Sequence, residues 1–194
     1  MRRLELEDLV ALYAPPVQLA LDKVATRLTP MYAKWIQESR FCILSTVGPD
    51  GVHGSPRGDD GPVVSIRDEQ TLLMPDWWGN NRLDCLRDIA QDGRVAVLFL
   101  VPGSTTTVRL NGTAFVTDDA TLCMQFVRKG KTPRSVIVIT IDEVYTQCAK
   151  ALLRSGLWER DDKDRVPSVG TILAEVTDGR EGGAAGAWSW RGEG

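Results

Sequence analysis

Between Leu72 and Ile89 the chain reads LLMPDWWGNNRLDCLRDI, and its polar residues are of the types that hold a phosphate. A short apolar strand stops at Pro75, two tryptophans follow, and Gly79-Asn80-Asn81-Arg82 is expected to open an amphipathic helix. Asn80 or Asn81 would cap that helix, whose first turn leaves backbone N–H groups free to meet an anion. The helix dipole favours negative charge at that end, and Arg82 adds a fixed guanidinium fork. The same residues also describe an ordinary Asn-capped surface helix, so the phosphate reading depends on what else the chain places beside them.

Composition closes off several other chemistries. The 194 residues include one histidine, His53, which excludes a zinc site built on two or three histidines. A Ser-His-Asp mechanism would have to run through His53, and no G-x-S-x-G elbow is present. His53 falls in the turn D-G-V-H-G-S-P and is expected to be a plain loop or strand-end residue. The four cysteines, Cys42, Cys85, Cys123 and Cys148, show no C-x-x-C spacing. They read as packed thiols rather than a disulfide framework. A net charge of −3 and a pI near 5.3 give no basic field for nucleic acid. No apolar run reaches the ~20 residues that span a bilayer. Acidic residues interrupt the segment after Arg2 and Arg3, which does not read as a signal peptide, so the cytoplasm is the expected compartment.

The elements that must position the phosphate-type residues follow from periodicity and turn signals. Residues 5–14 and 30–39 read as helices, the second with Thr29 before Pro30 at its first position. FCILSTV from Phe41, the turn Gly48-Pro49-Asp50-Gly51 and VHGSP form a hairpin. A second pair runs from Pro62 to Ile66 and from Thr71 to Met74. Val95–Val101 is an apolar central strand, Thr105–Val116 a long one, and Arg134–Ile141 a buried one. Asp118 is expected to cap a helix of about ten residues, and Glu143–Ser155 to form another. The glycine-dense end from Gly179 to Gly194 is expected to be disordered, because such a segment buries too little to offset its ordering entropy. With 43% hydrophobic residues the chain is one ordinary domain. A helical extension (1–29) precedes it, the body covers 30–178, and the tail covers 179–194. Six or so strands in hairpin order, with helices at the ends, point to an α+β fold built on a closed antiparallel barrel.

Three motifs in order carry a resemblance. They are Ser55-Pro56-Arg57-Gly58-Asp59, then Pro75-Asp76-Trp77-Trp78-Gly79-Asn80-Asn81-Arg82-Leu83-Asp84, then the C-x-K-A-L-x-R-S-x-L-W run from Cys148 to Trp158. With them, over about residues 30–172, the chain resembles the pyridoxamine 5′-phosphate oxidase-like flavoproteins, the FMN-binding split-barrel family. The resemblance implies a six-stranded antiparallel split β-barrel of Greek-key type with flanking helices, and FMN as cofactor. It places Asn80, Asn81 and Arg82 at the FMN phosphate, with Ser55 and Arg57 on the neighbouring strand and Arg57 as a second cation. Val63, Val64 and Ser65 would lie along the isoalloxazine edge, and Met74 and Pro75 along the ribityl path. Lys150, Arg154 and Trp158 would close the site of a partner subunit, which implies a homodimer with two flavin sites at its interface. The oxidase's R-L-x-P ending for vitamin B6 is not found, so vitamin B6 oxidation is not expected.

Other residues keep two readings. Trp77 and Trp78 suit either an interface patch or contact with the flavin ring, and Arg109 either the barrel surface or the dimer contact. The run Arg128-Lys129-Gly130-Lys131 reads as a solvated helix end closed by glycine and is left outside the site. The leading function is an FMN-dependent oxidoreductase acting on an unidentified small molecule or electron donor, with no residue assigned as acid or base. A flavin store, sensor or electron carrier is the alternative, as is a barrel that holds the deazaflavin F420 or haem.

Overall fold

Side-chain alternation sets the first hairpin. In β1 (Phe41–Gly48), Cys42, Leu44 and Thr46 are buried while Phe41, Ile43 and Ser45 point outward. A strand with one buried face needs this period of two. It pairs in antiparallel register with β2 (Gly51–Gly58) through a two-residue turn after Gly48. Before the hairpin come α1 (Leu6–Leu12), α2 (Gln18–Asp22) and α3 (Pro30–Gln37). The last begins as the sequence requires, with the Thr29 hydroxyl accepting from the Tyr32 N–H and Pro30 in the first turn.

The computed structural model describes residues 1–182, divided into two units after Ala151. The first unit adds β3 (Ser65–Asp68), β4 (Thr71–Asp76), α4 (Asp84–Gln91), β5 (Arg94–Leu100), β6 (Thr107–Thr117), α5 (Ala120–Met124) and β7 (Ser135–Gln147). Its strands form one antiparallel sheet in the order β2-β1-β5-β6-β7-β4-β3. The α+β split barrel expected from the sequence is the fold observed, with seven strands rather than six. The difference arises at the short pair β3–β4, where Ser65 and Ile66 pair with Leu73 and Leu72 and make the four-residue β3 a strand in its own right. Among the described residues no helix is long and apolar enough to cross a membrane.

Two cores result. Cys42 and Leu44, Val95 and Phe99, Leu110, Ile137 and Ile139 belong to the large one, inside the barrel. Leu73, Val136 and Val138 point the other way and pack with Cys123, Leu122 and Phe126 at α5. The strand β7 is therefore buried on both faces, as its nearly unbroken apolar run demands. Cys42, Cys85 and Cys123 are packed thiols, whereas Cys148 is exposed, contrary to expectation.

Two helices differ from the expected pattern. Asp119, not Asp118, caps α5, its carboxylate accepting from the Leu122 N–H, and α5 runs five residues rather than ten. Residues 143–147 extend β7 instead of forming a helix, because each finds a partner on β6 from Asn111 to Thr107 and Val144 exchanges backbone hydrogen bonds with Ala25. Long-range pairing outweighs local helix propensity there. Only Lys150–Ser155 (α6) is helical, straddling the division. In the second unit, Ser168 caps α7 (Val169–Val176) by accepting from the Thr171 N–H. Most of the expected disordered tail, 183–194, lies outside the described residues.

A bulge lets β7 follow the barrel. Asn111 pairs with Glu143 and Gly112 with Ile141, so Asp142 is the extra residue. There the chains approach so closely that a Cβ on Gly112 would lie 2.0 Å from the Thr140 carbonyl oxygen. Gly112→Ala should therefore lower stability by about 1–3 kcal/mol or more. Gly54→Ala, with nothing within 4 Å of the added carbon, should be nearly neutral. Urea denaturation of both variants checks the difference.

Candidate functional site

A cavity of about 410 Å³ opens in the first unit between the start of β3, the end of β4 and the segment after α5. Val64, Pro75, Trp77 and Phe126 supply its apolar and aromatic wall, and Asp59 and Arg128 are its charged groups. That size and mix suit a flat organic ligand with a few polar anchors. Asp59 is almost fully buried and accepts from the Trp77 indole N–H at 3.2 Å and from the Arg128 guanidinium. Arg128 also lies 5.3 Å from the centre of the Trp77 ring. The arginine is held there by a tight hairpin in which Arg128 and Lys131 exchange backbone hydrogen bonds across Lys129 and Gly130, both at positive φ. Arg128 is thus part of the cavity wall, and its run turns back as a hairpin rather than closing a solvated helix end as expected.

Arg57 and Asp76 meet on the barrel-facing side of the sheet, Asp76 sharing the parity of Met74 on β4 and Arg57 lying opposite Cys42 on β1. The Arg57 guanidinium donates to the Asp76 carboxylate at 2.6 Å, with both side chains mostly buried. The Arg57 Nε–H is buried and has no hydrogen-bond partner. A buried donor in that state is costly unless something accepts from it. Arg57 also faces Cys42 across the β1–β2 ladder, and burial pushes the Cys42 thiol up to about 12 despite the guanidinium, so it stays protonated.

The segment expected to cap the helix behaves differently. Asn80 accepts from the Arg82 N–H at 3.0 Å in an Asx turn, and Asn81 takes a left-handed φ of 60°. These two turns delay the helix to Asp84, with Leu83 at the N-cap and no side-chain cap. Neither asparagine caps α4, and the first turn already carries the Asp84 carboxylate, which the exposed Arg82 contacts at 2.5 Å. Asn81 instead accepts from Arg134, whose guanidinium lies 3.8 Å from the Trp78 ring centre.

The other expected site residues divide. Val64 and Pro75 line the cavity, as does Ser65. Val63 is buried, its N–H donating to the Ser39 carbonyl, and Met74 is a core residue packed inside the barrel rather than on the cavity wall. Ser55 is half-buried on β2, on the same strand face as Arg57. Lys150 and Arg154 on α6 and Trp158 after it are exposed.

His53 is not a plain loop residue. Its Nδ1 lies 2.8 Å from a carboxylate oxygen of Asp88 on α4, and the Thr46 hydroxyl donates to the same oxygen at 2.6 Å. Asp88 is buried, and Gly48 makes room for it, since a Cβ there would meet the carboxylate at 2.2 Å. The hydrogen bond to Asp88 raises the His53 pKa above 6.5, and hydrogen bonds from Thr46 and His53 hold Asp88 below 3.8. Register would have placed His53 opposite Thr46, but only the packing of α4 brings Asp88 to both.

Residues 28–148 match the profile of pyridoxamine 5′-phosphate oxidase. No curated protein matches the chain in sequence. Among solved structures, HupZ from Group A Streptococcus aligns with a TM-score of 0.52 at 14% identity, over 62% of this chain and 94% of its own. A histidine-to-alanine variant of HupZ gives 0.50 at 16% identity, over 61% of this chain and 98% of its own. The likeness to both is one of fold. General stress protein 26 from Bacillus anthracis aligns with a TM-score of 0.42 at 20% identity, over 59% of this chain and 89% of its own.

The Thr46–Asp88–His53 cluster makes stability depend on pH from both sides. A raised histidine pKa contributes stability that is complete below its unfolded value of 6.5 and is lost as pH rises through the folded one. A depressed carboxylate pKa contributes stability that is complete above 3.8 and is lost as pH falls through the folded value. The thermal midpoint should therefore decline above about pH 6.5, and His53→Gln should remove that alkaline decline while leaving the acid one, which Asp84 and Asp92 share.

Proposed function

The chain belongs to the pyridoxamine 5′-phosphate oxidase family, and on that premise we propose that it binds a flavin, takes FMN as its cofactor, and serves as an oxidoreductase. The observation that carries this reading is the cavity walled by Trp77, Pro75 and Val64, with the buried Arg57 Nε–H unpartnered on the barrel-facing side of the same seam. FMN combines a flat apolar ring with a phosphate, and the chain offers an aromatic and aliphatic cavity and a cation with an unused donor. The residues present fit the group. Trp77, Pro75, Val64 and Phe126 would cover the ring and exclude water, Gln37 and Ser65 would supply polar contacts to it, and Arg57 and Arg82 would hold the phosphate. When bound, the flavin supplies hydride or electron transfer to a small-molecule substrate or donor, and the protein contributes orientation and electrostatics.

We also propose a homodimer. An outward sheet face normally carries polar residues, yet Phe41 and Ile43 on β1 are 38% and 37% exposed, and Ile43 lies between Pro56 on β2 and Leu98 on β5. An apolar strip of this kind suits burial against a second copy. Lys150, Arg154 and Trp158 would then close the partner's site.

The purified protein should show flavin absorption, or acquire it on addition of FMN, with FMN released on denaturation and identified by mass. Arg82→Ala should weaken FMN about tenfold, the size of one charge-assisted hydrogen bond, while leaving riboflavin binding unchanged. A protein that takes up no FMN overturns the reading. In the sedimentation test, the wild type should run as a dimer, and Phe41→Lys with Ile43→Lys should shift it to monomer. A wild-type monomer that retains FMN rules out the shared site.

A further inference from the structure

Among the described residues, the cavity is lined by one carboxylate, Asp59, and one guanidinium, Arg128, and the two neutralise each other. Its other polar side chains, Gln37, Ser65 and Gln125, carry no charge. The Asp59 side chain is only 6% exposed, so its charge is compensated within the wall rather than by solvent. Both partners are fixed in place. Asp59 Oδ2 accepts from the Trp77 indole N–H at 3.2 Å, while Oδ1 accepts from Arg128 and from the Asp60 backbone N–H. The Arg128 guanidinium lies over the Trp77 ring, and its backbone is pinned by two hydrogen bonds with Lys131 across the Lys129-Gly130 turn.

Charge balance limits what can enter. A charged ligand group would lose its hydration and meet no unpaired countercharge, a costly exchange. The part of a ligand that fills the cavity is therefore neutral, and a phosphate stays outside it. Hydrogen-bonding capacity narrows the choice further. A carboxylate oxygen has two lone pairs, so among the described residues Oδ2 keeps one acceptor position beside the indole. Asp59 also takes up only part of the five-donor fork of Arg128. The wall thus presents an acceptor and a donor side by side, on a background of Val64, Pro75 and Phe126. Their complement is a flat ring whose edge carries an N–H next to a carbonyl. A pyrimidine-dione ring has that edge.

We propose that Asp59 and Arg128 are the specificity-determining pair of the cavity: the carboxylate accepts from the ring N–H of a neutral pyrimidine-dione edge, and the guanidinium donates to the adjoining carbonyl. The inference rests on the flavin reading above, since a flavin ring ends in such an edge, and adds to it the two side chains that choose the ring. A ring blocked at that nitrogen leaves Asp59 Oδ2 facing an alkyl group, and a buried acceptor in that state is unfavourable. An apolar ring without the edge fits the same walls and gains nothing from the pair.

The probes are lumichrome, a flavin-type ring without the ribityl phosphate, and 3-methyllumichrome, in which a methyl group replaces the hydrogen on the imide nitrogen. Fluorescence titration of the full chain with each reads the ring contact apart from any phosphate contact. The wild type should bind lumichrome about tenfold more tightly than the methylated ring, the size of one hydrogen bond to a charged group. Arg128→Met, at a side chain 45% exposed and so tolerant of replacement, should weaken both probes by about tenfold, because both keep the carbonyl. Asp59→Leu keeps the bulk and removes the acceptor, so the preference between the rings should vanish. Should that variant not fold, the wild type and Arg128→Met decide. Absence of lumichrome binding, equal affinity of the wild type for the two rings, unchanged affinity in Arg128→Met, or a preference that persists in folded Asp59→Leu overturns the proposal. FMN titrated in parallel separates the two readings. FMN uptake with no preference between the rings keeps the flavin reading and removes this one, and a ring preference without FMN uptake does the reverse.

Discussion

A seven-stranded sheet has two edges, and in this chain the fold depends on bringing them together. The strand β2 lies at one end of the order and β4 is next to the other end. The Arg57–Asp76 ion pair joins them directly. Asp59, just beyond β2, adds a second link through Trp77 and Arg128. A buried pair of this kind contributes little net energy when intact, but losing one partner strands the other charge at a cost of about 3–5 kcal/mol. Its effect is to select one curvature of the sheet. The same closure forms the cavity, whose wall is drawn from both sides of the seam, Asp59 from one and Pro75 and Trp77 from the other.

Beside this seam the cations come with their own carboxylates: Arg57 with Asp76, Arg128 with Asp59, Arg82 with Asp84, His53 with Asp88. Such pairing fixes each side chain in one geometry. It also keeps the unliganded wall close to neutral, which limits the self-repulsion that a cluster of bare cations would impose on a barrel edge. Arginine suits this double use because its fork has five donors, and one carboxylate leaves some of them available.

The sequence made the strands legible and left the connections between them obscure. Alternation in FCILSTV and the apolar run at Val95–Val101 declared their burial without ambiguity, because each depends on a period that is local to the strand. The signal failed wherever a distant partner decided the outcome. Residues 143–147 have helical character, yet β6 and Ala25 recruit them as strand. The asparagines at 80 and 81 are good helix caps, yet they were used for turns that displaced the helix start. At the candidate site, Arg57 and Pro75 lie in motifs visible in the sequence, and the family resemblance places Val64. Asp88 and Arg128 could not be found in either way, since their partners are 35 and 69 residues away. Met74 shows the reverse case: the resemblance places it along the ribityl path, while the parity of β4 turns it into the core.

The position of β7 in the sheet has a consequence for how the barrel is made during synthesis. It is the last of the seven strands to be translated, yet it lies between β6 and β4 and is buried on both faces. Until Gln147 has left the ribosome, the short arm β3–β4 has no strand partner in the rest of the sheet, and the inner core and the smaller one under α5 both lack a wall. The earlier strands must wait as an open, apolar-faced sheet. Pairings of this range are slow to form and leave hydrophobic surface exposed meanwhile. The nascent chain, rather than the finished protein, is thus the form most exposed to aggregation, and helpers that shield apolar surface would act on it in the interval between β6 and β7.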